Sequence, residues 1–151
     1  MKVSFCGHRE LSERAAVEAW LAELLPRLIE QGAEEFLLGG YRAFDELAAA
    51  ILIKLRAGGA PIRILLVAAY LDRAPRGDYD EVIYPGIETV PPRLAIIRRN
   101  EWMVDSSDIL AAYVSGSIGG AARTLEYARR RRKKVILFPN TTSDSAPNAS
   151  F

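Results

Sequence analysis

An α/β fold built on a doubly wound, mainly parallel sheet is predicted by three observations on the sequence. Short apolar runs alternate with longer amphipathic ones; one run, IRILLVAA at 62–69, is apolar throughout; and glycine pairs stand where strand patterns give way to helical ones. A strand with no polar alternation is buried on both faces, as in a parallel sheet. Right-handed crossovers then lay the intervening helices on the two faces.

The elements follow in order. KVSFC at 2–6 reads as the first strand, and Ser12 is placed to cap a helix running to about Gln31, with Val17, Trp20, Leu21, Leu24, Leu25 and Leu28 on one stripe. Pro26 is a position for a kink, and Gly32 ends the helix. EEFLLGG gives the second strand, 41–57 the second helix, and 62–69 the third strand. The segment 70–92, rich in Asp, Arg, Pro and Gly, reads as a structureless lid or wall, a length unusual unless functional. A helix over 97–105, strand DILAAYV, loop SGSIGG, a helix over 121–132 and strand KVILFP complete a sheet of expected order 3-2-1-4-5. Residues 1–138 are expected to form one domain and the polar 139–151 a disordered tail.

Composition narrows the function classes. The 151 residues carry 20 basic and 19 acidic side chains, a net charge of +1, so there is no global excess of positive charge to attract nucleic acid. A single cysteine, Cys6, excludes an internal disulfide, and with a single histidine it leaves little for a metal site. No metal or cofactor is expected. MKVSF enters a strand directly and no segment reaches membrane-spanning length, which predicts a cytoplasmic protein with no membrane partner.

In a doubly wound sheet, ligands sit beyond the C-terminal ends of the strands where the strand order reverses. Three loops are expected there: Gly7, His8 and Arg9; Gly39 and Gly40; and 115–120. Gly119 and Gly120 precede a helix, where backbone N–H groups and the positive helix end receive an anion such as phosphate. Arg9 and Arg123 add forked donors, and Ser115, Ser117 and Thr124 add hydroxyls. The same glycines also serve as ordinary turn residues. His8 is placed either to meet a phosphate or to orient its loop. Phe44 stacks on a base or packs, and Asp45, in the first turn of the second helix, binds ligand or complements the helix dipole. Cys6 reads as a small buried hydrophobe. The run RRRRKK at 129–134 is either an anionic-surface patch or a solvated helix end.

FCGHRE, LLGGYRAFDELAA, RRNEWMVDSSDILAAYV and GSIGGAARTLEYAR, in this order, resemble the signature segments of the SLOG superfamily. This Rossmann-like group includes the DNA-processing protein DprA and the LOG phosphoribohydrolases, and the chain is most similar to its small stand-alone YpsA-like members. The resemblance implies a nucleotide or nucleotide-derived phosphate as ligand, a sensor or regulatory role, and the option of a homo-oligomer. It further implies two alternatives: hydrolysis of a nucleoside 5′-monophosphate to free base, and binding of single-stranded nucleic acid. The hydrolase motif PGGxGTxxE is met here by IGGAARTLE: Gly119, Gly120 and Glu126 match, while Ile118, Ala122 and Arg123 replace the proline, third glycine and threonine. By resemblance, Glu126 is the carboxylate for an oxocarbenium-like transition state or a ribose hydroxyl, its alternative being a surface ion pair with a neighbouring arginine. Arg99 joins it as a catalytic candidate and Asn100 as a polar contact, while Met103 reads as core and Asp108 as a cap or brace for the loop before the fourth strand.

Overall fold

The computed structural model describes residues 1–40, 42–70, 77–87 and 89–139. In chain order the elements are β1 (Lys2–Gly7), α1 (Arg14–Glu30), β2 (Glu35–Leu38), α2 (Ala43–Ala57), β3 (Arg63–Val67), β4 (Glu81–Ile83), α3 (Pro92–Asp105), β5 (Ile109–Tyr113), α4 (Gly120–Arg130) and β6 (Lys134–Leu137). All pairings are parallel and the order is β4-β3-β2-β1-β5-β6. The expected five-strand order is therefore present, with β5 and β6 as its fourth and fifth strands. The tail from 140 and the loop residues 71–76 lie outside the described residues.

Alternation along the strands divides the core. Val3 and Phe5 face α1 and α2, packing with Val17, Leu21, Leu25 and Phe44; Cys6, Leu110 and Ala112 face α4 with Val104, Leu125 and Ala128; Leu37, Leu65 and Val67 meet Met103 of α3. Ser4, on the α3 and α4 side, is buried with its hydroxyl 2.7 Å from that of Ser107. Asp108, in the loop before β5, ties that loop to the start of β1, its Oδ2 accepting the Lys2 backbone N–H at 2.8 Å.

Three expectations are corrected. The segment read as a structureless wall contains β4, which pairs in parallel with β3 through the register Leu65↔Glu81. Its attachment is polar: Asp80 Oδ2 accepts the Ile64 backbone N–H at 2.7 Å and Arg56 Nη1 at 2.8 Å, and Arg63 pairs with Glu81. Those bonds, the Ile64 one foremost, hold the Asp80 carboxyl below its usual range. The helix expected from 97 begins at Pro92 instead, because a proline at the first helical position gives up only a donor that would be unpaired there. Ser12 does not cap α1; Glu13 is the N-cap residue, and the Ser12 hydroxyl lies 3.1 Å from that of Tyr113.

Helices α1, α2 and α4 end alike. A left-handed residue follows each cap: Gly32 (φ 107°), Gly59 (φ 104°) and Arg132 (φ 56°), and the next N–H bonds back to Leu28, Leu55 and Ala128 respectively. Only α4 uses a residue with a side chain there. Arg132→Gly is expected to raise stability by about 0.5–1 kcal/mol, relief of the left-handed strain exceeding the entropy glycine adds to the unfolded chain. A urea midpoint at or below wild type would refute this.

Candidate functional site

The three glycine-bearing loops do gather at the C-terminal edge of the sheet, but their side chains divide into a brace, a chamber and a cleft. The brace links the ends of β1 and β5. Ser115 donates its backbone N–H to His8 Nε2 at 2.6 Å, with the Ser115 hydroxyl 3.1 Å away, and the imidazole meets the Tyr113 ring edge-on at 5.4 Å. In this geometry Nε2 is the unprotonated nitrogen. The Arg9 carbonyl accepts the Ala43 N–H at 3.2 Å, tying the β1 loop to the start of α2. A Cβ on Gly7 would overlap the Phe44 ring, so this glycine admits packing. Phe44 is 0% exposed, between Phe5, Trp20 and Tyr113, and does not reach a ligand.

Behind the brace lies a small chamber of about 10 Å³, bordered by Cys6, Gly7, Arg42, Asp45, Arg99 and Asn100. Arg99 is 2% exposed; its Nη1 donates to the carbonyls of Gly39 and Val67, each at 3.1 Å, and its Nε to Asn100 Oδ1 at 2.8 Å. Gly39 leaves the space this guanidinium fills, since a Cβ there would stand 2.7 Å from Arg99 Cζ. Asp45 is 4% exposed, and its Oδ1 has no hydrogen-bond partner among the described residues. Burial raises its pKa from 3.8 to about 6, against the pull of Arg99, Arg42 and the backbone N–H groups of Gly40 and Gly39. The Cys6 thiol is driven well above its ordinary range, first by burial and then by the Asp45 charge, so it remains a thiol.

The cleft opens between α3 and α4 with a volume of about 410 Å³, within the range of small-molecule sites. Its polar wall holds Arg42, Arg123, Thr124 and Asn100 near the N-terminus of α4, where Gly119 (φ 109°) turns the chain, and Arg130 at the other end of that helix. Glu101 is the carboxylate of this lining, and Arg98 lies 2.9 Å from it. The other wall is apolar, from Ile96, Ile97, Ile118 and Tyr127, with Ile118 89% exposed. Arg42, Asn100 and Thr124 border both the cleft and the chamber. Gly120 makes room for Arg42: a Cβ there would sit 3.0 Å from its Nη2.

Of the residues expected from the sequence, Asn100, Gly119, Gly120, Arg123 and Thr124 line the cleft; Gly7, Asp45, Arg99, Asn100 and Thr124 line the chamber. Gly39 and Gly40 support Asp45 and Arg99 from behind. His8, Arg9, Ser115 and Ser117 line neither space, the first three serving the loop brace. Glu126 is exposed on α4 outside both, because Arg123, Tyr127 and Arg130 occupy the helix face turned to the cleft. The basic run diverges: Arg130 enters the cleft, while Arg131 pairs with Asp105 Oδ1 at 2.8 Å and Lys133 donates to the Asp105 carbonyl. Arg42 and Glu101 were not singled out by the sequence reading. For Arg42 the available signal was an arginine directly ahead of a helix that follows a glycine pair.

The chain has the fold of several solved proteins. TM1055 superposes with a TM-score of 0.64 at 17% identity over 89% of this chain and 72% of its own. DNA processing protein A from Helicobacter pylori, described for its single-stranded DNA binding mode, gives 0.65 at 17% over 96% and 68%. The molybdenum cofactor carrier protein from Chlamydomonas reinhardtii gives 0.60 at 19% over 91% and 75%. The likeness is one of fold, so the Rossmann-like architecture implied by the sequence resemblance is the one this chain has. No family model and no curated protein sequence matches the chain.

Proposed function

We propose that the chain binds a nucleotide or nucleotide-derived phosphate in the cleft between α3 and α4, as a sensor or regulatory module. One observation carries this reading: Arg42 and Arg123 line the cleft beside the N-terminus of α4 and Arg130 lines it at the far end of the helix, while Glu101, the only carboxylate of the lining among the described residues, is already engaged by Arg98. Guanidinium forks and helix N–H groups together suit a phosphate. The apolar wall of Ile96, Ile97 and Ile118 suits a base or comparable ring. A binding role also agrees with Glu126 standing away from the cleft.

Phosphorylated nucleotides are expected to stabilise the fold by about 2.7 kcal/mol at a hundred times their dissociation constant, with the matching nucleosides far weaker. Arg123→Gln, an exposed substitution, is expected to weaken phosphate-dependent binding by about tenfold or more, the loss of one charge-assisted hydrogen bond. Thermal shift and titration calorimetry check both. Absence of stabilisation by any phosphorylated compound, or equal stabilisation by nucleosides, would overturn the phosphate reading. Glu101 in the lining gives the hydrolase alternative its best footing: sustained release of free base, lost in Glu101→Gln, would establish it in place of simple binding.

A further inference from the structure

The chamber behind Arg42 contains an unmet hydrogen-bonding requirement. Asp45 Oδ1 is buried and has no partner among the described residues, although a buried carboxylate oxygen ordinarily finds one. Its surroundings are otherwise well paired: Arg99 is held by two carbonyls and by Asn100, and the N–H groups of Gly39 and Gly40 serve the same carboxylate. The space beside it, about 10 Å³, matches a single oxygen-sized group and no more. It shares Arg42, Asn100 and Thr124 with the cleft, so the two spaces adjoin at these side chains, of which Arg42 belongs to the phosphate-binding set.

We propose that Asp45 is a specificity residue that reads a hydroxyl of the bound ligand: Oδ1 accepts an O–H donated from the cleft side while Arg42 and the start of α4 hold the phosphate. The ligand class is then a phosphate ester that also carries a free sugar hydroxyl, as a ribonucleotide does. The proposal rests on the phosphate reading above. A group with no hydrogen to donate at that point would leave Oδ1 unpaired, whereas an O–H to a carboxylate is among the stronger hydrogen bonds. A bound water offers the same chemistry from another source, and the experiment separates the two.

Each of the four common ribonucleoside 5′-monophosphates is titrated against its 2′,3′-dideoxy counterpart, with inorganic phosphate as the control that has no sugar, on wild type, Asp45→Ala and Asp45→Asn. The wild type is expected to prefer at least one ribonucleotide by about tenfold to a hundredfold. That preference should vanish in Asp45→Ala and shrink in Asp45→Asn, whose neutral amide is the weaker acceptor, with inorganic phosphate binding unchanged. Equal binding of ribo and dideoxy forms by the wild type would assign the chamber to water and overturn the proposal while leaving the phosphate reading intact; this arm needs no variant to fold. A preference that persists in both variants would place hydroxyl recognition elsewhere and also overturn it. No binding of any phosphate compound would overturn both readings.

Discussion

Arg99→Met is expected to cost the fold about 3–5 kcal/mol, the range found when one partner of a buried charged cluster is removed. The side chain joins three elements: its Nη1 donates to the first carbonyl after β2 (Gly39) and to the end of β3 (Val67), and its Nε fixes Asn100 on α3. Methionine has about the right length to fill the space but supplies no donors, so two buried carbonyls and the Asn100 amide lose their partner and Asp45 loses its largest favourable charge. Urea denaturation with an unchanged slope reads the loss as a shifted midpoint. A loss below about 1 kcal/mol would show that the cluster is dispensable. Gly39→Ala supplies the second half of the test. Its Cβ would press on the guanidinium, so its cost should fall in the Arg99→Met background, giving a positive coupling between the two positions.

The dependence of Arg99 on Gly39 also shows where sequence reasoning reached and where it stopped. Strands β1, β2, β3 and β5 were legible because each is apolar enough to be buried, and Gly7 and the Gly39-Gly40 pair marked the C-terminal ends of β1 and β2. Strand β4 was hidden: Glu81 and Val82 are exposed, and the strand is held by Asp80 and Arg63 through polar bonds that leave no apolar period to read. The gathering of the glycine loops was legible, because fold class alone puts strand ends together. The division of labour within them was not. Gly7 and Gly39 look like phosphate-loop glycines, yet the space they leave is filled by Phe44 and Arg99, a matter of tertiary packing. Asp45 and Glu126 illustrate the same limit in opposite directions. The first, reasonable as a helix-dipole partner, is enclosed beneath Arg42 and Arg99; the second, matched to a hydrolase motif, stands on the outer side of α4 because Arg123 and Arg130 take the inner one.

Asp45 should leave its mark on the pH dependence of stability. Its folded pKa of about 6 stands above the ordinary 3.8, chiefly through burial, and the groups that face it are Arg99 and Arg42, which favour the ionised form, with the Cys6 thiol and Tyr79, whose own ionisation its charge opposes. A raised carboxyl pKa means that the folded state holds the proton more tightly than the unfolded chain. The stabilisation is therefore complete below about pH 4, where both states are protonated, and is lost as pH rises through 6, where the folded carboxyl also ionises. At 1.36 kcal/mol for each unit, the loss across this window is about 3 kcal/mol. Other carboxylates act in the opposite sense: Asp80, with its lowered pKa, contributes stability that disappears as pH falls. The wild-type curve alone mixes the two. The difference between wild type and Asp45→Asn isolates the first, since asparagine has nothing to titrate. Denaturant unfolding from pH 4 to 8 is expected to show the asparagine variant gaining on wild type by about 2–3 kcal/mol, nearly all of it between pH 4 and 6.5. Parallel curves would mean that Asp45 ionises in the folded protein as easily as in water, and that the chamber does not shield it. A gain in the reverse direction would mean that the charges of Arg42 and Arg99 outweigh burial and hold Asp45 ionised.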